Sequence, residues 1–336
     1  MAEPNLQEVH DFLIELAKEA GEMIVAANPS TMTADSKKNC EYLSISPITV
    51  ADGNEQASLR PRHRNRPSSR EDGLDLAEIQ VSRLRVSKLH PSPPAIQFNA
   101  PTPKPLTHPS PRFLGEETYK PGMHLTTAPT FICDPIDGTV NFVHGHPYVC
   151  ISLGFTVSKT PVVGIIYNPF TSTLYSAIQG RGAFLNQTTR LPLKQKPEPL
   201  QGLSNALVAV EWGSDREGVN WEVKTKTFAR LGAPREVGGA MVHSLRSLGS
   251  AALNMCAVAC GTMDVYWEAG CWAWDVAAGW VILKEAGGMV VDGNPGGWEP
   301  EVDGRKYLAV RAAPSGQREI VEEFWGQVVG RFEYQS

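Results

Sequence analysis

The chain has 336 residues, 42% of them hydrophobic and 20% charged, a balance that excludes a disordered or fibrous protein and predicts a soluble chain of two domains or one large one. Its net charge of −5 excludes nonspecific nucleic-acid binding, which needs a basic surface to release counterions. No apolar run approaches the ~20 residues of a membrane span, and Met1–Gln7 lacks the positive and apolar regions of a secretory leader, so a cytoplasmic location is expected. The six cysteines form no CxxC pair and read as reduced, buried thiols.

The first predicted element is a helix. Asn5 and Glu8 have the spacing of a capping box, and Leu6, Val9, Leu13, Leu16, Ala20 and Met23 follow at helical intervals. Composition then changes: residues 40–112 hold eleven of the 26 prolines, and Arg60, Arg62, Arg64, Arg66 and Arg70 form a basic run. So many fixed φ angles and missing donors predict an extended, solvated stretch, with helical periodicity only over Leu74–Leu84. The arginines read either as a partner or targeting site or as part of a disordered insertion.

From Leu114 a globular pattern resumes. Strands are predicted at Thr130–Cys133, Tyr148–Val157, Val162–Tyr167, Leu174–Ile178 and Gly182–Leu185, joined by turn residues as an antiparallel meander. A buried strand is expected at Asn205–Glu211, a buried helix at Ala251–Cys260, and a strand at Met263–Trp267. A helix at Asp275–Ala286, closed by Gly287–Gly288, and a strand at Met289–Asp292 complete the reading. The class is mixed α and β.

Four acidic residues stand at the ends of predicted elements: Glu116, Asp134, Asp137 and Asp275. Two aspartates three apart around a proline can aim both carboxylates and the Ile136 carbonyl at one point, an oxygen donor set suited to Mg²⁺. Gly138 lets the chain approach an anion, and the Gly138 and Thr139 amides lie at an expected helix start. Taken singly, the Asp-Pro-x-Asp-Gly-Thr run is also an ordinary turn, Glu116 a surface glutamate and Asp275 a helix N-cap.

Together these stretches carry a resemblance. Gly115-Glu116-Glu117, then Phe131-Ile132-Cys133-Asp134-Pro135-Ile136-Asp137-Gly138-Thr139 with Asn141-Phe142, Arg246-Ser247-Leu248-Gly249-Ser250-Ala251-Ala252 and Trp274-Asp275-Val276-Ala277-Ala278-Gly279 resemble, in order, the motifs of the inositol monophosphatase family. Among its members the chain looks nearest to the fungal proteins of quinate utilisation. The resemblance implies a layered αβαβα sandwich, one unit over residues 5–330 with sub-layers of about 5–195 and 196–330. It implies a Mg²⁺-dependent phosphomonoesterase, inhibited by Li⁺, that hydrolyses inositol monophosphate through an activated water. The alternatives are a relative acting on a nucleotide 3′-phosphate or sugar bisphosphate, and a noncatalytic metal- and phosphate-binding regulator.

By the same resemblance Glu116, Asp134 and the Ile136 carbonyl hold one Mg²⁺, and Asp134, Asp137 and Asp275 a second. Thr139 with Glu116 prepares the water. Gly138 and Thr139 contact phosphate; Gly249, Ser250, Ala251 and Glu268 line the polyol side, with Asp275 beside it. Without the resemblance Glu268 reads as a solvated loop carboxylate. Trp267, Trp272, Trp274 and Trp280 read as packing, Cys256 and Cys260 as core thiols, and His144 and His146 either as residues supporting the site or as loop residues. Family members commonly dimerise, but no stretch identifies an interface.

The chain departs from the family between Cys40 and Arg112, where a lysine-led Asp-Leu-Val-Thr-x-x-Asp strand and a second long helix are expected. Only Lys37 and Lys38 match. In the family the absent second aspartate belongs to the water network and can bind a third, weaker metal. The abrupt return of the pattern on both flanks favours a mistranslated stretch, such as a retained intron, over a divergent insertion. That stretch has ten basic against seven acidic residues, so the remainder is more acidic than the net charge of the whole.

Overall fold

The computed structural model describes residues 4–26 and 112–334; the atypical stretch, including Leu74–Leu84 and the arginine run, lies outside the described residues. Helix α1 is Leu6–Ala26. Asn5 Oδ1 accepts the Gln7 N–H at 3.2 Å and the Glu8 N–H at 3.5 Å, and Asn5 Nδ2 donates to Glu8 Oε1 at 2.7 Å. The cap is therefore closed side chain to side chain, a variant of the predicted box. Val9, Leu13, Leu16 and Ala20 are buried as the periodicity predicts, joined by Ile14, Ala17 and Ile24.

Seven strands form the first sheet in chain order: β1 (Arg112–Gly115), β2 (Thr130–Asp137), β3 (Cys150–Val157), β4 (Thr160–Asn168), β5 (Thr173–Ile178), β6 (Ala183–Leu185) and β7 (Thr189–Arg190). β1 pairs parallel to β2, and the rest run antiparallel, as the meander requires. β2 runs four residues past the predicted end at Cys133. Its register breaks between Asp134 and Asp137, and the bulge accommodates Pro135, which has no N–H for the ladder.

The second sheet has the order β11-β12-β10-β8-β9, built from β8 (Leu207–Val210), β9 (Ser244–Arg246), β10 (Val265–Ala269), β11 (Met289–Asp292) and β12 (Lys306–Val310). β8 runs parallel to β9 and β10, while β12 is antiparallel to β10 and β11. The remaining helices are α2 (Thr139–His144), α3 (Gly218–Gly232), α4 (Ala251–Cys260), α5 (Ala273–Glu285) and α6 (Gln317–Gln327).

Three buried clusters define the layers. α1 packs on Phe131, Ile151, Leu153, Phe155, Val163 and Ile165 of the first sheet. α4 and α5 fill the space between that sheet's other face, with Ile132 and Ile166, and the inner face of the second, with Ala209, Tyr266 and Tyr307. α3 and α6 cover the outer face through Val223, Leu231, Ile320 and Phe324 against Val208, Trp267 and Leu308. The order is αβαβα, as expected. Both faces of each sheet are covered, so β2 and β10 read as continuous apolar runs rather than alternating ones.

Candidate active site

Asp134 and Asp137 leave β2 on either side of its bulge, and Asp275 is the third residue of α5. The structure brings a carboxylate oxygen of each within 4.8 Å of the others. Asp134 is buried, and its Oδ1 accepts the Ile136 N–H at 2.9 Å. Asp137 Oδ2 accepts from Ser250 Oγ at 2.5 Å and from the Ala252 N–H at 2.8 Å. Asp275 accepts the Trp272 N–H at 2.6 Å. It is therefore inside the helix that Trp272 precedes, and the N-cap reading is corrected: helix geometry starts two residues earlier, at Ala273.

Three like charges this close repel by about 3–4 kcal/mol per pair even at an effective dielectric near 20. Burial, then the charge of Asp134, pushes the Asp137 carboxyl up to about 8 against the hydrogen bonds of Ser250 and Ala252. Burial and the charges of Asp134 and Asp137 raise Asp275 far above the carboxylate range. Glu116 follows β1 in an exposed 3₁₀ turn; desolvation, then the charges of Asp134, Asp275 and Glu117, hold its carboxyl above its ordinary value. The cluster must hold protons or a cation. An all-oxygen, acidic, partly hydrogen-bonded donor set fits a hard divalent ion.

Gly138 caps α2 with φ 92°, a left-handed conformation that costs glycine nothing. A Cβ there would stand 2.8 Å from the Tyr148 carbonyl. Thr139 Oγ1 donates to the Ile136 carbonyl at 3.0 Å, so both predicted groups sit in one short contact beside the aspartates. Asn141 Nδ2 donates to the carbonyls of Tyr148 (2.9 Å) and Leu248 (2.7 Å), tying α2 to the entry of α4.

Ser250 is the N-cap of α4: its Oγ accepts the Leu253 N–H at 3.2 Å while donating to Asp137. Ser250 and Ala251 are buried, so this hydroxyl is committed inside the protein. Glu211, treated in the sequence only as the end of a strand, organises the same turn. Its Oε1 accepts from the Leu248 N–H (2.7 Å), the Gly249 N–H (3.0 Å) and Asn254 Nδ2 (2.8 Å). The available signal was an acid at the end of the apolar run Ala206–Val210.

Glu268 lies in β10 and is half-buried, so the loop reading is corrected: the strand predicted to end at Trp267 continues to Ala269. Tyr266 Oη donates to Glu268 Oε2. Burial, then the charge of Glu211, pushes the Glu268 carboxyl up to about 7 against Tyr266, Lys224 and Cys271. Trp267, Trp274 and Trp280 are core residues and Trp272 packs against the core, as expected; Trp272 and Trp274 stack at 5.1 Å with Tyr119 alongside. Cys256 and Cys260 are buried free thiols, as expected. His146 is an exposed loop residue, whereas His144, also exposed, ends α2, so the loop reading is corrected for it.

Comparison with known proteins gives the chain's relatives. The family model described as "Inositol monophosphatase family" matches residues 106–328. Inositol monophosphatase 2 of Saccharomyces cerevisiae is 48% identical over 233 residues, 68% of this chain and 77% of that protein. Quinic acid degradation cluster protein x of Neurospora crassa is 42% identical over 252 residues, 66% of this chain and 73% of its own. The solved inositol monophosphatase of Anabaena (Nostoc) sp. PCC 7120 superposes with a TM-score of 0.61 at 22% identity, covering 96% of both chains. These two fungal relatives lie within the resemblance drawn from the motifs, the yeast protein at the higher identity. The order of the motifs, the convergence of their carboxylates and this identity lead to one assignment: the chain belongs to the inositol monophosphatase family and is a phosphatase.

Proposed function

We propose that the protein is a Mg²⁺-dependent phosphomonoesterase that hydrolyses inositol monophosphate to inositol and phosphate. The observation that carries this reading is the meeting of Asp134, Asp137 and Asp275 within 4.8 Å, in a chain 48% identical to a protein named inositol monophosphatase. Glu116, Asp134 and the Ile136 carbonyl would hold one ion, and Asp134, Asp137 and Asp275 another. When bound, two such ions act as Lewis acids on a phosphate ester and make water nucleophilic near neutral pH.

The residues supply the rest. Thr139, whose hydroxyl proton is directed to Ile136 O, keeps lone pairs to accept a hydrogen bond from the attacking water, and Glu116 takes the proton that this water loses. Water oxygen joins phosphorus as the ester P–O bond opens; the leaving alkoxide takes a proton from solvent water to become the polyol, and Glu116 returns its proton to solvent. The Gly138 and Thr139 amides hold phosphate oxygens, and the backbone at Gly249, with Glu268, faces the polyol, Ser250 and Ala251 backing it from inside the protein. Glu268 accepts from ring hydroxyls as a carboxylate. A homodimer working in the cytoplasm and inhibited by Li⁺ completes the reading; sedimentation velocity measures the first of these.

The test is phosphate release from myo-inositol 1-phosphate by purified protein, with Mg²⁺, with Mg²⁺ plus Li⁺, and in EDTA. Release only with Mg²⁺ and its suppression by Li⁺ are expected. Equal release in EDTA would end the metal reading, and a substrate panel with a higher kcat/KM for a nucleotide 3′-phosphate or sugar bisphosphate would reassign the substrate.

A further inference from the structure

Residues 328–334, following α6, run as a strap across the end of the second sheet where β8, β10 and β11 finish. The Val329 N–H donates to Thr227 Oγ1 at 3.0 Å and the Glu333 N–H to Asn220 Oδ1 at 2.9 Å. Buried Asn294 grips Phe332 twice, accepting its N–H at 2.7 Å and donating to its carbonyl at 3.0 Å. These contacts deliver Tyr334 to one place. Its hydroxyl donates to Asp215 Oδ2 and accepts from Lys224 Nζ at 3.0 Å. Lys224 is only 1% exposed, and its ammonium lies 3.7 Å from Asp215 Oδ2.

The other side of Tyr334 meets the loop after β10. Its ring would lie 3.1 Å from a Cβ at Gly270. The Arg305 guanidinium stands 5.1 Å from the Tyr334 ring and 3.7 Å from that of Trp272, close enough for cation–π attraction to both. Arg305 Nη2 donates to the Gly270 carbonyl at 2.8 Å, and the Gly270 N–H donates to the Arg305 carbonyl at 2.9 Å. Trp272 is in turn the residue whose N–H holds Asp275.

Two loops therefore share one strut. The loop holding Asp215 leaves β8 just after Glu211, and the Gly270–Trp272 loop leaves β10 just after Glu268. β8 and β10 are parallel neighbours, so both loops emerge at the carboxyl edge of the sheet, the edge at which open α/β sheets bind ligands.

We propose that Tyr334 is a positioning residue for the polyol end of the substrate: by tying Asp215 and Lys224 to Gly270–Trp272, it fixes the distance between the walls that carry Glu211 and Glu268. The proposal rests on the phosphatase reading above and adds a specificity determinant outside the family motifs. It predicts a loss concentrated on the part of the substrate that carries hydroxyls, since the phosphate end is held by β2 and α2 and Asp275 is carried by α5 itself.

The test uses the full chain with Tyr334→Phe, which keeps the ring and removes the hydroxyl, and Tyr334→Ala, which removes both. On myo-inositol 1-phosphate KM should rise about threefold for the first and about tenfold for the second, the scale of one and of several lost polar contacts. kcat should stay within about twofold, and kcat/KM for p-nitrophenyl phosphate, which has no polyol, should change far less. Equal losses on both substrates, or an unchanged KM on the first, overturn the proposal.

Amide hydrogen exchange on the protein without substrate gives a readout independent of turnover. Tyr334→Ala should lose protection at 212–216 and at Gly270 and Cys271 but not in β2–β5, and unchanged exchange at both loops overturns the strut. If the unmodified protein does not hydrolyse inositol phosphate at all, the substrate reading falls and exchange alone judges the strut. If Tyr334→Ala does not fold, Tyr334→Phe decides by the same two measurements.

Discussion

The charge of Asp134 acts on all three of the other acids, raising Glu116, Asp137 and Asp275 alike. Asp134→Asn removes the charge common to both proposed ion positions while keeping the size, so kcat should fall by roughly 10³-fold, the scale of several kcal/mol of transition-state stabilisation. Steady-state assays at saturating Mg²⁺ measure this; turnover within tenfold of the parent would remove Asp134 from the mechanism. Glu268 supplies a pH test. With its carboxyl pushed up to about 7, it is neutral below that pH and a hydrogen-bond acceptor on both oxygens above it. KM for inositol phosphate should therefore fall as pH rises through about 7, and Glu268→Gln should flatten the profile. The acids of the site were legible as residues because turn formers flanked them, whereas Glu211 was not. Its three donors come from Leu248, Gly249 and Asn254, more than 35 positions away, and only the tertiary fold assembles such a contact.

The element that decides the site is α5, which carries Asp275 and lies close against the first sheet. Gly154 and Gly164 are paired across β3 and β4 and leave a flat patch under the helix. A Cβ on Gly154 would stand 3.2 Å from that of Ala277, and one on Gly164 would collide with the Ala278 carbonyl. On the other side Gly279 faces Met255 of α4, with 2.7 Å to a Cβ built there. The Ala277-Ala278-Gly279 run of the motif is thus a packing requirement, and the helix can approach until Asp275 reaches Asp134. Gly164→Ala should destabilise the protein by about 1–3 kcal/mol through overpacking and lower turnover by moving Asp275; urea unfolding and kcat are the measurements. Ser250→Ala should cost about 1–2 kcal/mol for the lost cap, with a further loss because buried Asp137 gives up a donor. Strand and helix types in the middle of the chain followed from apolar runs and glycines. Their ends did not: β2 and β10 each run beyond the predicted stop, since pairing with β3 and β12 continues where the apolar run yields to acids. α3 and α6 are not marked by the sequence, because each buries only four residues along a helix otherwise rich in charged and polar side chains.

At the scale of the whole molecule, the layer order followed from the family motifs rather than from periodicity, because sheets covered on both faces lack the two-residue alternation that marks a half-exposed strand. No helix among the described residues is long and apolar enough to cross a membrane. Stability and metal are linked through the cluster. The Asp137 carboxyl is raised to about 8 in the fold, whereas an unfolded aspartate ionises near 3.9. The folded state therefore binds the proton more tightly; its advantage is complete below about pH 4 and is lost as pH rises through about 8. In EDTA the melting temperature should fall between about pH 5 and 8, and saturating Mg²⁺, which replaces the protons, should raise it most at the upper end. Calorimetry across that range measures both; a metal-free melting temperature that climbs with pH would contradict the assignment. α5 has one further consequence. It is apolar around almost its whole circumference and fills the gap between two sheets, so neither sheet alone can hold it. The first sheet by itself could present Asp134 and Asp137 but not Asp275. Full-strength ion capture thus becomes a reporter of completed assembly: a nascent or half-folded chain would hold the metal only feebly, and the ion would seal the last step of folding.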